Sequence, residues 1–153
     1  MLELSRVQAL LEDVGAADEE IAAVYKIGED EWAIVYDEAT TVLLTFDDLQ
    51  QKLTLSIQIG RPIPEREHAV FGALLMYSFL RQQTGGVHAA LGGTEGDAVL
   101  LFDWSPGEST AADLAALTAN FAEKGRIWRE FVTAADSDTV PSAFHEFVMG
   151  MRV

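Results

Sequence analysis

Three glycines lie within five positions of the stretch GGTEG, at Gly92, Gly93 and Gly96. Glycine-rich loops cradle phosphates when a strand precedes them and a helix follows, because the helix N-terminus supplies N–H donors. Here the following residues, DAVLLFDW, are typical of a strand, and Glu95 and Asp97 would repel an anion. The Gly-Lys-Ser/Thr motif is missing. The pattern therefore predicts a β-hairpin turn with glycines at positive φ, and not a phosphate site.

The residue types that hold metals or perform catalysis are scattered along the chain. His68, His88 and His145 fall in different predicted segments, whereas a zinc site needs three or four converging ligands. The sequence has neither a Gly-x-Ser-x-Gly elbow nor a twelve-residue calcium loop. The stretch DEWAIVYDE could supply a carboxylate pair for acid–base chemistry, but such pairs are unspecific in so acidic a chain. We therefore expect no catalytic residues, no metal and no cofactor, and a protein that is not an enzyme.

The charge balance limits the class of partner. The sequence has 25 Asp and Glu residues against 10 Lys and Arg, a formal net charge of −15, and no Lys or Arg occurs between Gln82 and Glu123. Such a field repels nucleic acid and anionic membranes and favours basic partners. There is no cysteine, which excludes disulfides. The longest apolar run covers residues 69–80, well below the roughly 20 residues of a membrane span, and we expect a cytoplasmic protein.

The hydropathy pattern predicts an α+β fold, with an antiparallel twisted sheet of about five strands and three helices in the order α-β-β-β-α-β-β-α. The clearest strand is KLTLSIQIG, in which Leu and Ile alternate with polar residues, as in a sheet with one dry face. The strands are predicted at residues 31–37, 40–48, 52–60, about 87–91 and 98–104, and the helices begin near residues 4, 64 and 110. Residues 16–31 fit either a helix or a loop.

The predicted domain covers residues 1–135. Residues 136–153 form a C-terminal extension, and a short helix could follow Pro141 with Phe144, Phe147 and Val148 on one side.

The second predicted helix, from Pro64 to about Gln83, is apolar on nearly every side. A helix of this kind must be buried all round, and so small a chain offers only one sheet face to cover it. We therefore expect a homodimer. The candidate interface residues are Val70, Phe71, Leu74, Tyr77 and Phe79. The alternative is that the last helix covers the second side within the monomer.

In length, acidity and order of elements, the sequence resembles the Tir-chaperone family, the class I chaperones of type III secretion. The resemblance covers roughly Leu2 to Ala135. It is carried by three stretches, WAIVYDEATTVLLTFDDLQQKLTLSIQIGRPIP, ALLMYSFLRQQTGGVHAALGGTEGDAVLLF and LAALTANFAEKGRIWREFV. In the family, the first of these corresponds to a strand meander that ends in a Gly-x-Pro-like break. The segment from Asp136 onward has no clear counterpart.

The resemblance implies a cytoplasmic bacterial homodimer that binds the N-terminal region of one or several type III effector proteins. The effector segment would wrap around the dimer in an extended form, which keeps it competent for secretion and aids its targeting to the export apparatus. The ATPase of that apparatus is a further implied partner. Neither nucleic acid nor a membrane is expected to bind. In the family, the dimer contact typically involves the second helix.

An unfolded client can add a strand to a sheet edge or lay a helix in an apolar groove. The candidate effector-binding residues are Leu4, Val7, Leu10 and Leu11 of the first helix, with Val35 and Leu43 of the sheet. For each of them, a place in the ordinary core is the alternative.

Two further hypotheses stay open. A small acidic protein-binding adaptor of the same fold would have no secretion role. An enzyme that used Asp or Glu in a pocket would contain a buried carboxylate with a raised pKa.

Overall fold

The computed structural model describes residues 3–93 and 95–135. Within them, three helices are α1 (Leu4–Ala17), α2 (Glu67–Phe79) and α3 (Ala111–Thr133), and a 3-10 turn, Pro64–Arg66, leads into α2. The strands are β1 (Ala23–Lys26), β2 (Glu31–Asp37), β3 (Thr40–Asp47), β4 (Lys52–Gly60), β5 (His88–Leu91) and β6 (Ala98–Trp104). The predicted C-terminal extension, residues 136–153, lies outside the described residues, so its boundary and its short helix stay predictions.

The strands form one antiparallel sheet in the order β1-β2-β3-β4-β6-β5. The predicted α+β class is confirmed, with one strand more than the five expected. The additional strand is β1, which lies in the segment that the sequence left open between helix and loop. It pairs with β2 so that Ala23 lies opposite Val35 and Lys26 opposite Trp32. A four-residue strand has too few positions for its alternation to stand out among the surrounding acidic residues.

The fold divides into two compact units. Among the described residues, the first comprises those up to Ile57 and Asp103–Lys124, and the second comprises those between Gln58 and Phe102 and those from Gly125 to Ala135. Strands β4 and β6 and helix α3 contribute residues to both units.

The core of the first unit lies between the helices and one face of the sheet. Helix α1 buries Val7, Leu11 and Val14, which are spaced four and three residues apart as an amphipathic helix requires. The hydroxyl of Tyr36 in β2 donates a buried hydrogen bond of 2.9 Å to Thr118 Oγ1 in α3, which fixes the first part of α3 against the same face. We call the face of the sheet that carries Tyr36 and lies against these helices the inner face.

The core of the second unit is built around Trp128. The rings of Tyr77 and Trp128 have centroids 4.8 Å apart, and the Phe131 ring meets Trp128 edge-on at 5.7 Å. Aromatic pairs prefer tilted and edge-on arrangements of this kind. The inward side of α2 is thereby held against the second half of α3.

The glycine-rich stretch forms the predicted hairpin between β5 and β6. Gly92 N–H donates to the Asp97 carbonyl at 2.7 Å, and Gly96 adopts a φ of 87°. Gly92 and Gly93 do not have a positive φ, so the predicted conformation is wrong for these two glycines. The two carboxylates of the turn form ion pairs with Arg61. Its Nη2 atom lies 3.2 Å from Glu95 Oε2, and its Nε atom lies 3.2 Å from Asp97 Oδ1. These carboxylates therefore pair with an arginine, and the turn is structural.

Candidate protein-binding surfaces

The sheet of the first unit presents apolar side chains on the face opposite the helices. Tyr25 is 57% exposed, Leu43 is 40% exposed and Val35 is half-buried. We call these three residues the outer sheet patch. Tyr25 and Leu43 both pair with Ala33, one from each side, and directly opposed residues share a face. The neighbour of Ala33, Trp32, points to the inner face, because side chains alternate along a strand.

Carboxylates flank the outer sheet patch at both ends of β2. Glu29, Asp30 and Glu31 lie at the turn between β1 and β2, and Asp37 and Glu38 lie at the turn between β2 and β3. All five residues are exposed. An apolar strip between two acidic clusters is complementary to a segment that carries apolar residues with basic residues around them.

A polar cluster lies on the outer face beside β3, at Lys52 and Thr54 of β4 and Asp103 of β6. Asp103 of β6 accepts a hydrogen bond from Lys52 Nζ at 2.9 Å and another from Thr54 Oγ1 at 2.8 Å. These groups satisfy one another, so this part of the outer face is polar.

The predicted effector-binding residues fall into two separate sets. Val35 and Leu43 belong to the outer sheet patch, whereas α1 packs on the inner face beside Trp32. Of the α1 candidates, Leu4 is exposed and Leu10 is half-buried, but Val7 and Leu11 are fully buried. The structure therefore does not bring the six residues into one groove, and Val7 and Leu11 act as core residues.

A groove of about 240 Å³ does lie between α1 and the first two strands, but polar groups line much of it. Lys26 Nζ donates to Gln8 Oε1 at 3.2 Å, and Gln8 Nε2 donates to Glu12 Oε1 at 3.0 Å. The Lys26 ammonium also lies 5.8 Å from the Trp32 ring centroid. This groove is less suited to an apolar client than the outer sheet patch is.

Helix α2 has one buried side and one exposed side. Among the predicted interface residues, Val70, Leu74 and Tyr77 are buried in the second unit and Phe71 is half-buried. Only Phe79 is largely exposed, at 78%. The helix is thus not buried all round within the chain.

The exposed side of α2 is a continuous stripe. It consists of Gly72, Leu75, Met76 and Phe79, which we call the α2 stripe. Their spacing of three, four and seven residues places them on one helix face. Leu75 is 71% exposed and Met76 is 52% exposed. Large apolar side chains that are grouped in this way mark an interaction surface more often than single exposed ones do.

Sequence reasoning missed Tyr25, Leu75 and Met76 as surface residues. The run AVYK before Ile27 and Gly28 contains a β-branched and an aromatic residue, a short strand signal that could have located Tyr25. In α2, the pattern had no polar face from which to tell the inward side from the outward side. The tertiary packing shows which side points inward, since Tyr77 lies against Trp128 and Val70 and Leu74 are buried with it.

In the described part of the chain, three groups have a clearly shifted pKa. Hydrogen bonding to Asp97, and then to Glu95, raises the pKa of the exposed Arg61. A hydrogen bond from the Thr110 N–H lowers the pKa of Asp113, and burial raises the pKa of Tyr77. Each shift has a local structural cause in an ion pair, a helix cap or the core.

Neither a metal centre nor a membrane span is found in the described part of the chain. Within residues 3–93 and 95–135, no group of three or more His, Asp or Glu side chains is placed to hold a metal ion. None of the helices described there is both long enough and apolar enough to cross a membrane.

Solved structures resemble this fold closely. The crystal structure of the ExsC–ExsE complex contains a chain that matches with a TM-score of 0.73 and 16% identity, covering 89% of this chain and all of the other. The structure of the HopA1–SchA chaperone–effector complex matches with a TM-score of 0.64 and 16% identity, covering 85% of this chain and 99% of the other. A search of curated protein sequences gives no significant match.

The sequence also matches a family model over residues 26–129, about two thirds of the chain. This range contains all of β2 to β6, α2 and most of α3, including the outer sheet patch apart from Tyr25 and the whole α2 stripe. The resemblance inferred from the residues is therefore confirmed: the chain belongs to the Tir chaperone protein (CesT) family, the class I chaperones of type III secretion.

Proposed function

We propose that this protein binds the N-terminal region of one or several type III secretion effectors in the bacterial cytoplasm. It holds that region in a non-globular form that is competent for secretion and helps to target it to the export apparatus, without catalysis. The family match over residues 26–129 carries this proposal. It also favours the secretion role over a general adaptor of the same fold.

The outer sheet patch is the surface on which we place the effector. Tyr25 and Leu43 remain exposed although they are large and apolar, and β1 is an edge strand of the sheet. An unpaired edge accepts an added strand, whose main chain supplies affinity while its side chains fill neighbouring sites. The acidic flanks attract basic residues of the client. Leu4 and Leu10 of α1 would then serve as a second, separate contact region.

The α2 stripe is where we place the contact between two copies of the chain. A dimer about a two-fold axis uses the same patch on both subunits, and Phe79, Met76 and Leu75 present a self-complementary apolar surface. Of the predicted interface residues, this assignment keeps Phe79 alone, since the half-buried Phe71 is not part of the α2 stripe. The buried Val70, Leu74 and Tyr77 are no longer assigned to the interface, because they lie in the core of the second unit.

The effector proposal can be tested by purifying a tagged chain from its native bacterium and identifying the bound proteins by mass spectrometry. The informative variant is Leu43→Asp, which places a charge in the centre of the outer sheet patch. The matched control is Leu49→Asp, the same change at a residue that is 96% exposed in the turn after β3. Circular dichroism checks that both variants stay folded.

We expect the wild type and Leu49→Asp to retain effector proteins and Leu43→Asp to lose them. Equal recovery with Leu43→Asp would refute the outer sheet patch as the binding surface. Recovery of partners that are not type III effectors would refute the secretion role itself.

A further inference from the structure

Gly72 is an unexpected residue on the exposed side of α2. It lies in the interior of the helix, where glycine is among the least favourable residues. A Cβ placed at Gly72 would meet no atom within 4 Å, and the residue is not among those with a positive φ. Neither the backbone conformation nor the packing of the described chain therefore requires a glycine here. The space above Gly72 is open to a side chain from another molecule.

Phe79 is the largest and most exposed side chain of the α2 stripe. It follows Gly72 by seven residues, which is within about 20° of two full turns, so the two residues lie on one line along the helix. At 1.5 Å per residue, they are about 10 Å apart along the axis. Leu75 and Met76 lie between them, one on each side of this line. The α2 stripe therefore has an open space at one end and an exposed ring at the other.

An antiparallel arrangement of two α2 helices brings these unlike ends together. In a two-fold contact, each residue meets in the partner the residue that lies equally far beyond the axis. If the axis passes between Leu75 and Met76, the midpoint of the stripe, Phe79 of each chain lies over the partner's Gly72. Large then faces small at both ends, so the helix axes can keep one separation of about 8–10 Å. A parallel arrangement would set Phe79 against Phe79 and leave a void at Gly72, which close packing disfavours.

The charge of the chain favours the α2 stripe for a contact between two copies. The net charge is −15, so such a contact is least unfavourable where no carboxylates meet. Gly72, Leu75, Met76 and Phe79 carry no charge. A two-fold contact through the outer sheet patch would instead bring its acidic flanks together. A second copy of the chain therefore fits the α2 stripe both in shape and in charge.

We propose that Phe79 of each chain packs over the partner's Gly72 in an antiparallel two-fold contact, so that Gly72 determines the orientation of the two chains. This inference rests on the contact between two copies proposed above, and it adds the pairing of residues within that contact. A larger residue at position 72 would fill the space that the ring needs. Gly72 is therefore a specificity residue of the contact, although it contributes no side chain.

A competing position for the Phe79 ring lies beside α2. An apolar opening of about 230 Å³ between α2 and β5 has Phe71 and Ala90 among its lining residues. Phe71 precedes Gly72 by one residue, so it points about 100° away from the line that joins Gly72 and Phe79. A ring that approaches along this line meets Gly72 and not the opening. A thiol at Ala90 distinguishes the two positions by experiment.

Disulfide trapping between two kinds of chain tests the pairing, because the sequence contains no cysteine and every thiol is introduced. Chains with Gly72→Cys are mixed with chains with Phe79→Cys, allowed to exchange subunits and oxidised mildly. The control mixture combines Phe79→Cys with Ala90→Cys. Each variant is also oxidised alone, and mass spectrometry of peptides identifies the bonds. A disulfide forms only where the two Cα atoms lie within about 7 Å.

We expect the first mixture to form a disulfide between positions 72 and 79 of two chains, in several-fold excess over the control mixture and over either variant alone. Bonds between two copies of the same position would indicate a parallel contact. A bond between positions 79 and 90 would place the ring in the opening beside β5. Either result, or no bond at all in a chain that is dimeric, overturns the proposed pairing.

A second measurement does not rely on introduced thiols. Gly72→Leu should raise the dissociation constant of the dimer by about tenfold or more, because overpacking a close contact carries a penalty of this size. Adding Phe79→Ala to the same chain should restore part of the affinity, since the leucine then occupies the space of the ring. The control is Ala116→Leu, which introduces a leucine at an exposed position of α3.

Sedimentation equilibrium measures the association, and circular dichroism checks that each variant stays folded. If the wild type is dimeric and Gly72→Leu associates as well as the wild type does, the pairing is wrong but the contact through the α2 stripe stands. A wild type that is monomeric at micromolar concentration overturns both. An equal loss of affinity in Ala116→Leu would show a general effect of added leucine and would also overturn the pairing.

Discussion

Arg66 and Phe131 are joined twice in the second unit. The guanidinium donates a hydrogen bond of 2.7 Å from Nη1 to the Phe131 carbonyl, and its central carbon lies 5.1 Å from the centroid of the Phe131 ring. Because the last carbonyls of a helix have no partner within the helix, a buried arginine here satisfies the end of α3 and stacks on its last aromatic residue. The relationship joins the start of α2 to the end of α3.

Replacing Arg66 by Met should destabilise the fold by about 2 kcal/mol, since hydrogen bonds to charged groups are worth about 1.5–3 kcal/mol. Methionine keeps an apolar stem of similar length but leaves the carbonyls of Phe131 and Ala134 without this donor. Urea unfolding measures the loss. The control is Arg81→Met, the same change at an exposed residue after α2, which should be nearly neutral. Equal effects of the two changes would contradict the capping role.

Replacing Phe79 by Asp should convert the proposed dimer into a monomer that stays folded. The side chain is 78% exposed in the chain, so the change removes an intermolecular contact and leaves the core intact. Light scattering after size-exclusion chromatography, at micromolar concentration, measures the mass. Leu49→Asp, at a residue that is 96% exposed, should leave the dimer unchanged. A wild-type chain that is monomeric at this concentration would refute the proposal.

Replacing Gly60 by Ala should be costly for two separable reasons. Gly60 has a φ of 91°, where a Cβ costs about 1–2 kcal/mol, and a Cβ there would lie 2.7 Å from Thr133 Cγ2. In a Thr133→Ser background this methyl is absent, so the same substitution should cost less but still be unfavourable. Thermal or urea unfolding of the wild type, the two single variants and the double variant gives the coupling free energy between the two positions. An identical penalty in both backgrounds would show that the clash contributes nothing.

The hydrogen bonds between Asp113 and Thr110 at the start of α3 should make the free energy of unfolding depend on pH under acidic conditions. Asp113 Oδ2 accepts hydrogen bonds from the Thr110 N–H at 2.8 Å and from Thr110 Oγ1 at 3.0 Å, and its pKa is lowered in the folded protein. The unfolded state therefore binds this proton more readily, so stability from Asp113 is present above its unfolded pKa of about 3.9 and is lost as the pH falls through the lower folded value.

Unfolding of wild type and Asp113→Asn between neutral pH and pH 2 tests this expectation. The difference in stability should be present at neutral pH and shrink below about pH 4. Glu108→Gln controls for the removal of one negative charge near the same helix end. A difference between wild type and Asp113→Asn that stays constant through this range would contradict the assignment.

Most elements of the fold could be predicted because their own residues specify them. Strand β4 alternates without exception, so Leu53, Leu55, Ile57 and Ile59 are all buried and the bounds of the strand match the prediction. The glycine-rich hairpin could be predicted for a similar reason, because the residues of the turn themselves favour it. Strand β1 was not, because four residues gain their structure from pairing with β2.

The candidate surfaces were predictable only in part. Leu43 and Val35 follow from alternation along their strands, and both lie on the outer face. Val7 and Leu11 were wrong as surface residues, because a regular apolar stripe on a helix looks the same whether it faces a client or a core. Leu4 and Leu10, at the margin of that stripe, keep some exposure.

By itself, the sequence determined the α+β class, the order of most elements, the strong negative charge and the family, because periodicity, composition and local turn signals are properties of the chain. The tertiary structure alone decided which side of α2 is covered. Trp128, which lies 51 residues after Tyr77, packs against one face of that helix and leaves Leu75, Met76 and Phe79 exposed. Burial is a relation between distant segments, so no pattern within a uniformly apolar helix could assign it.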